Sequence, residues 1–116
     1  MKNIIQDKSF AFALRIVKLC NHLQKAKHET VMAKQLLRCG TSIGANVAES
    51  KHAQSRADFI SKLAIALKEA AEADYWLHLL HEANYLSDAE FESIFADCNE
   101  IESLLASIVK TTKNRS

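Results

Sequence analysis

The sequence contains no proline, only two glycines and three cysteines in 116 residues. Proline and glycine mark most turns between short strands, so their scarcity argues against a many-stranded sandwich or barrel and favours helices. The three cysteines, Cys20, Cys39 and Cys98, are odd in number and far apart, which gives neither a disulfide framework nor a CxxC metal site. Thiols left unpaired fit a reducing compartment, and we therefore expect the protein in the cytoplasm.

Long apolar runs are also missing. The longest segment of low charge, residues 36–48, has 13 residues and includes Arg38. A membrane-spanning helix needs about 20 apolar residues, so we expect no membrane association. The first ten residues, MKNIIQDKSF, lack the apolar stretch of a signal peptide. The length predicts a single domain over residues 1–116.

Charge is nearly balanced overall but unevenly distributed. Residues 1–68 carry 12 basic and 4 acidic residues, a balance of +8, whereas residues 69–116 carry 3 and 10, a balance of −7. The simplest interpretation places basic helices beside acidic helices in one bundle. A nucleic-acid-binding surface is compatible with the same distribution.

Apolar residues recur at spacings of three and four in four segments, so the sequence predicts helices at about 9–26, 30–51, 55–84 and 87–112. Short connections between long helices force neighbours to run antiparallel, which predicts an all-α, up-down, antiparallel four-helix bundle. Ser9 is the expected N-cap of the first helix. The expected core face of that helix comprises Phe10, Ala13, Leu14, Val17, Cys20 and Leu23.

The second helix contains both glycines. Gly40, Gly44 and Ala48 form a ridge of small residues that lets another backbone approach closely, although a break at Gly40–Gly44 is the alternative. The third helix carries an unbroken heptad pattern. Its members are Phe59, Leu63, Ala66, Ala70, Ala73, Leu77, Leu80 and Asn84. The fourth helix begins with Ser87-Asp88-Ala89-Glu90, which fits a capping box.

The segment T-S-I-G-A-N-V-A-E-S at 41–50 resembles the S-I-P-x-N-I-A-E-G signature of a four-helix-bundle family that includes proteins encoded in intervening sequences of bacterial 23S rRNA genes. The matching residues are Ser42, Ile43, Asn46, Ala48 and Glu49. Gly44 and Ser50 depart from the pattern, since the family usually has Pro and Gly there.

The resemblance implies a cytoplasmic bundle that assembles as a homopentameric ring, has no established catalytic activity and associates with RNA or the ribosome. A related branch consists of strongly basic accessory proteins of retroelement reverse transcriptases. The near-neutral charge of this chain argues against that branch.

Residue types suited to catalysis or metal binding do not form a recognisable pattern. His78, His81 and Glu82 share one helix face, and one helix turn can present two metal ligands in this way. Nothing in the sequence indicates a further ligand, so we interpret the two histidines as surface residues. We expect no enzyme, no metal, no cofactor and no small-molecule substrate. Trp76 lies off the heptad seam and is expected at a subunit interface, where Trp is enriched.

Two hypotheses remain for the function. The leading one is a non-enzymatic oligomer whose basic face contacts RNA phosphates. The residues expected to make those contacts are Arg15, Lys18, Lys25, Lys27, Lys34 and Arg38. The other is a structural adaptor that acts through protein contacts. For the matched motif, we expect a structural role, with Asn46 fixing helix register and Glu49 pairing with Arg38, Arg56 or a backbone amide.

Overall fold

The computed structural model describes residues 3–115. Within that range the chain forms four helices, α1 (Ile4–Lys25), α2 (Val31–Ser50), α3 (Arg56–Glu82) and α4 (Asp88–Asn114). Each connection has five residues, at 26–30, 51–55 and 83–87. Each helix packs on the next along the chain, and α1 also packs on α4, which closes the bundle. The predicted antiparallel four-helix bundle is confirmed. Between residues 3 and 115, no helix is long and apolar enough to cross a membrane.

The start and the core face of α1 differ from the sequence prediction. The helix begins five residues earlier than predicted, at Ile4, because Asn3 Oδ1 caps it by accepting from the Gln6 backbone N–H at 3.1 Å. Ser9 is not a cap; it is buried in the helix, and its hydroxyl donates to the Gln6 carbonyl. The buried face comprises Ile5, Ser9, Phe12, Ile16, Cys20 and Leu23. The predicted core residues Phe10, Leu14 and Val17 are exposed.

Helix α2 runs without a break through both glycines, so the alternative of a break there is wrong. A Cβ on Gly40 would lie 2.9 Å from Ile16 Cγ2, and one on Gly44 would lie 3.3 Å from the Ser9 carbonyl oxygen. The missing side chains therefore let α1 approach α2 closely, as the ridge of small residues predicts. The first turn of α2 is capped by buried Glu29, whose carboxylate accepts from the Ala33 N–H at 2.9 Å.

Most of the heptad pattern of α3 lies in the core: Leu63, Ala66, Ala70, Ala73, Leu77 and Leu80 are buried, and Phe59 packs against the core but is only partly buried. Asn84 does not belong to the helix, because α3 ends at Glu82 and Asn84 adopts a left-handed conformation with φ 68°. The Tyr85 N–H then donates back to the Leu80 carbonyl at 2.9 Å, the bond that closes a Schellman motif. After α1, His28 is also left-handed, with φ 55°, and the Glu29 N–H donates to the Leu23 carbonyl at 2.9 Å, a bond that spans one residue more than the Schellman bond. Both helices thus end without the glycine that usually occupies this position.

The capping box at the start of α4 is confirmed. Ser87 Oγ accepts from the Glu90 N–H at 3.1 Å, and the Glu90 carboxylate accepts from the Ser87 N–H at 2.8 Å. The bond from the Ser87 backbone N–H, together with the nearby Ser87 side chain, lowers the pKa of Glu90 below its usual value. From this cap, α4 contributes Ile94, Cys98, Ile101, Leu105 and Val109 to the core.

Candidate nucleic-acid and self-association surfaces

Four of the six residues predicted to contact RNA are lysines that form no ion pair with a described carboxylate. Lys18 and Lys25 lie one heptad apart on α1, Lys27 lies in the connection that follows, and Lys34 lies in the first turn of α2. All four are exposed. Among residues 3–115, no carboxylate oxygen lies within 4.0 Å of any of their amino groups. These amino groups are therefore available to an external anion.

Arg15, the fifth predicted contact, is bound within the protein. Its guanidinium crosses from α1 to α4, where it donates to Asp97 Oδ2 at 2.7 Å and to the Ser93 hydroxyl and carbonyl at 2.9 and 3.2 Å. Lys8 crosses the same seam to Glu100 at 3.0 Å. Beside Arg15, helices α1 and α4 leave a shallow groove of about 450 Å³, whose lining includes Lys18, the half-buried Leu19 and the buried Leu86 and Ile94.

Arg38, the sixth predicted contact, is bound at the α2–α3 seam. It lies between Glu69, at 3.2 Å, and Glu72. The indole N–H of Trp76 donates to the same Glu72 carboxylate at 3.0 Å, and the Trp76 ring is half-buried. Arg38 and Trp76 are thus two ends of one polar cluster on the side of the bundle.

Ion pairs on the surface of the bundle connect the basic half of the chain to its acidic half. Lys8–Glu100, Arg15–Asp97 and the two bonds of Arg38 each join a residue before 69 to one at or after 69. The internal interpretation of the charge asymmetry therefore accounts for three of the basic residues. Lys18, Lys25, Lys27 and Lys34 stay outside this arrangement.

The residues of the family motif bond mainly along their own helix. Ser42 Oγ donates to the Arg38 carbonyl at 2.7 Å, and Asn46 Nδ2 donates to the Ser42 carbonyl at 2.9 Å. Ile43 is fully buried, and Ala48 is exposed. Glu49 pairs with Lys62 of α3 at 2.9 Å, so the partners expected for it from the sequence are wrong.

The histidines of α3 pack in an aromatic column along the α3–α4 face. His81 stacks on Phe91 at 4.4 Å between ring centroids, and Phe91 stacks on Phe95 at 5.2 Å. His78 meets Phe95 edge to face at 4.8 Å and pairs with Asp74 at 3.0 Å. Between residues 3 and 115, no group of three or more His, Cys, Asp or Glu residues is placed to hold a metal ion.

Sequence reasoning did not identify a carboxyl pair beneath this column. Glu102 of α4 neighbours Asp74 of α3, and Cys98 Sγ lies 3.7 Å from Glu102 Oε1. Burial of Glu102 and the neighbouring Asp74 raise the pKa of Glu102 to about 7. The one feature of the sequence that marks Glu102 is its position one helix turn beyond the core residue Cys98. Since α4 has many other acidic residues, this feature is weak.

Two helices carry a second, outward-facing apolar pattern. We call Phe10, Leu14 and Val17 the outer α1 stripe; their side chains are 72%, 50% and 46% exposed. We call Ile65, Tyr75 and Leu79 the outer α3 stripe; theirs are 40%, 58% and 37% exposed. A small bundle that leaves both sets uncovered has two candidate interaction surfaces.

The chain was compared with known families and with solved structures. A family model described as "23S rRNA-intervening sequence protein" matches residues 1–107. A crystal structure of a protein of unknown function from the S23 ribosomal protein family of Bacteroides thetaiotaomicron superimposes with a TM-score of 0.90. The two sequences are 56% identical, and the alignment covers 91% of this chain and 98% of the other. No curated protein matches the sequence.

Proposed function

The chain belongs to the 23S rRNA-intervening sequence protein family, and from that premise we propose that it is a non-enzymatic, self-associating bundle that binds RNA. One observation carries the RNA part of the proposal. Lys18, Lys25, Lys27 and Lys34 are exposed and make no ion pair with a described carboxylate, whereas Lys8, Arg15 and Arg38 do. Lysine ammonium groups on a helical surface contact phosphates rather than base edges, so we expect binding without sequence preference.

The test of RNA binding is a salt titration with two single-stranded RNAs of unrelated sequence. Phosphate contacts release counterions, so the log of affinity falls with log salt at a slope of about −0.7 per contact on single strands. The double variant Lys27→Glu/Lys34→Glu should weaken binding of both RNAs by the same factor and make the slope shallower. The matched control is Lys110→Glu/Lys113→Glu, which changes the charge equally at the far end of α4.

Two results would refute RNA binding through this surface. One is an absence of binding to either RNA at low salt. The other is an equal loss of affinity in the control variant, because that would show only a response to net charge.

Self-association is the second part of the proposal, and the outer stripes of α1 and α3 support it. Exposed apolar patches of this kind in small proteins mark interaction surfaces. The family resemblance implies five subunits. Sedimentation should therefore give the mass of five copies of the 13.0 kDa chain. A 13.0 kDa species at micromolar concentration would refute it.

The same stripes favour an adaptor function as the alternative. An adaptor binds through apolar protein contacts, which are insensitive to salt, whereas phosphate binding weakens steeply with salt. An oligomer that binds neither RNA would favour the adaptor.

We also propose a cytoplasmic location. Cys20, Cys39 and Cys98 are free and buried, and burial raises the pKa of the Cys20 and Cys39 thiols to about 12. Unpaired core thiols are typical of proteins kept in a reducing compartment. Fractionation of cells producing the protein tests the location.

A further inference from the structure

The outer stripes of α1 and α3 each extend into a heptad-like pattern on the outside of the bundle. On α1, residues 7, 10, 14, 17 and 21 follow steps of three and four. On α3, residues 65, 68, 72, 75, 79 and 82 follow the same steps. Steps of three and four align side chains along one seam of a helix, the arrangement with which two helices pack against each other.

We propose that the outer α1 stripe of one copy packs against the outer α3 stripe of the next copy. The inference rests on the proposed self-association and names the surfaces that would mediate it. Within residues 3–115, the remaining large apolar side chains that are well exposed, Ile4 and Val31, stand singly near helix starts. The two stripes are therefore the surfaces with the periodicity of a helix-packing seam.

The exposed area agrees with an interface core. Each stripe has one aromatic residue, whose side chain presents on the order of 150–250 Å², and two smaller aliphatic residues, so the exposed fractions give roughly 300 Å² for each stripe. Contact between the stripes would remove roughly 600 Å² of apolar surface. A standard interface buries about 1,600 Å² in total, a little over half of it apolar, so the two stripes would supply about two thirds of the apolar area and flanking residues the remainder.

Charges beside the stripes are opposite in sign. Lys18 and Lys25 border the outer α1 stripe, and Glu82 continues the seam of the outer α3 stripe. Each seam also carries one charge of the other sign, Asp7 on α1 and Lys68 on α3, and these two charges are again opposite to each other. Pairing α1 with α1 would instead bring Lys18 and Lys25 towards their own copies. Electrostatic complementarity therefore favours contact between unlike stripes.

A contact between two different surfaces is heterologous, so each copy offers one surface to each of two neighbours. This property permits a complementation test. Phe10→Asp destroys only the outer α1 stripe, and Leu79→Asp destroys only the outer α3 stripe. Both positions are exposed, and the melting temperature of each variant shows whether the bundle is intact.

The expected result is distinct for each sample in native mass spectrometry. The wild type assembles, and each variant alone gives only the mass of one chain. An equimolar mixture gives a heterodimer with one copy of each variant, because Leu79→Asp supplies an intact α1 stripe and Phe10→Asp an intact α3 stripe. Assembly stops there, since both remaining stripes are damaged. Ser103→Asp, on the exposed side of α4, is the control and assembles like the wild type.

Several outcomes would overturn the inference while the proposed self-association stands. In one, either variant still assembles like the wild type. If Phe10→Asp fails to assemble while Leu79→Asp assembles normally, the contact is between two α1 stripes. In another, both variants are single chains and their mixture forms no heterodimer. A wild type that is itself a single chain would refute self-association and this inference together.

Discussion

Ile16 of α1 lies against Gly40 of α2 so closely that a Cβ on Gly40 would be 2.9 Å from Ile16 Cγ2 and 3.0 Å from Cγ1. Ile16 is fully buried and β-branched, so it has little freedom to move away. The contact fixes the distance between the two helices at the centre of the bundle.

We therefore predict that Gly40→Ala destabilises the protein. Overpacking costs about 1–3 kcal/mol, and the better helix propensity of alanine returns about 1 kcal/mol, so the expected net loss is about 1 kcal/mol. Thermal unfolding followed by circular dichroism measures it. In the background of Ile16→Ala, which removes the two nearest carbons, Gly40→Ala should no longer lower the melting temperature. An equal loss in both backgrounds would contradict the packing explanation.

Arg15 and Lys18 are expected to separate stability from RNA binding. Arg15→Ala removes three hydrogen bonds to α4 and should lower the free energy of unfolding by about 1 kcal/mol, because all are partly exposed. Lys18→Ala should leave stability within about 0.5 kcal/mol and weaken RNA binding. Urea unfolding and RNA titration of both variants check this. The assignment fails if Lys18→Ala is the less stable variant.

The Asp74–Glu102 pair should make stability fall as pH rises through a defined window. The folded-state pKa of Glu102 is about 7, above its ordinary value of 4.5. Its proton therefore stabilises the fold fully below pH 4.5, and the contribution is lost as pH rises to 7. Glu102 is partly exposed, so the expected size is on the order of 1 kcal/mol.

Glu102→Gln keeps the neutral side chain at every pH and should remove this loss. The melting temperature of Glu102→Gln should therefore rise relative to wild type between pH 5 and about 7.5. Glu100→Gln, which breaks only the exposed pair with Lys8, is the control and should not rise. Parallel pH curves for wild type and Glu102→Gln would show that the proton is not held there.

The capping box of α4 gives a fourth prediction. Ser87→Ala removes the hydroxyl that accepts from the Glu90 N–H and should cost about 1 kcal/mol. Ser103→Ala, on the exposed side of the same helix, should change the free energy of unfolding by less than about 0.5 kcal/mol. Equal effects in urea unfolding would mean that the cap contributes nothing specific.

Helices α3 and α4 could be predicted well because one apolar pattern dominates each and local chemistry marks the start of α4. Helix α1 could not, because it carries two apolar patterns. Phe12 and Ile16 face the core, while Phe10 and Leu14, two residues earlier in each case, face outward. Periodicity alone does not say which of two apolar faces a bundle buries.

The candidate RNA surface was predictable only in part for a similar reason. Exposure of Lys18 and Lys25 follows from their position on the polar side of α1. The partners of Arg15 lie 78 and 82 residues away on α4, and those of Arg38 lie 31 and 34 residues away on α3. Only the fold brings those partners to the guanidinium groups, so local sequence could not show that both arginines are occupied.

The order of packing in this bundle has a consequence for the kinetics of folding. Three of its four helix–helix contacts join neighbours in the chain, so most native contacts are local, which is typical of domains that fold in microseconds to milliseconds. The α1–α4 seam closes the longest loop, and we expect its bridges to form after the transition state. Loss of Arg15 would then accelerate unfolding while leaving the refolding rate nearly unchanged.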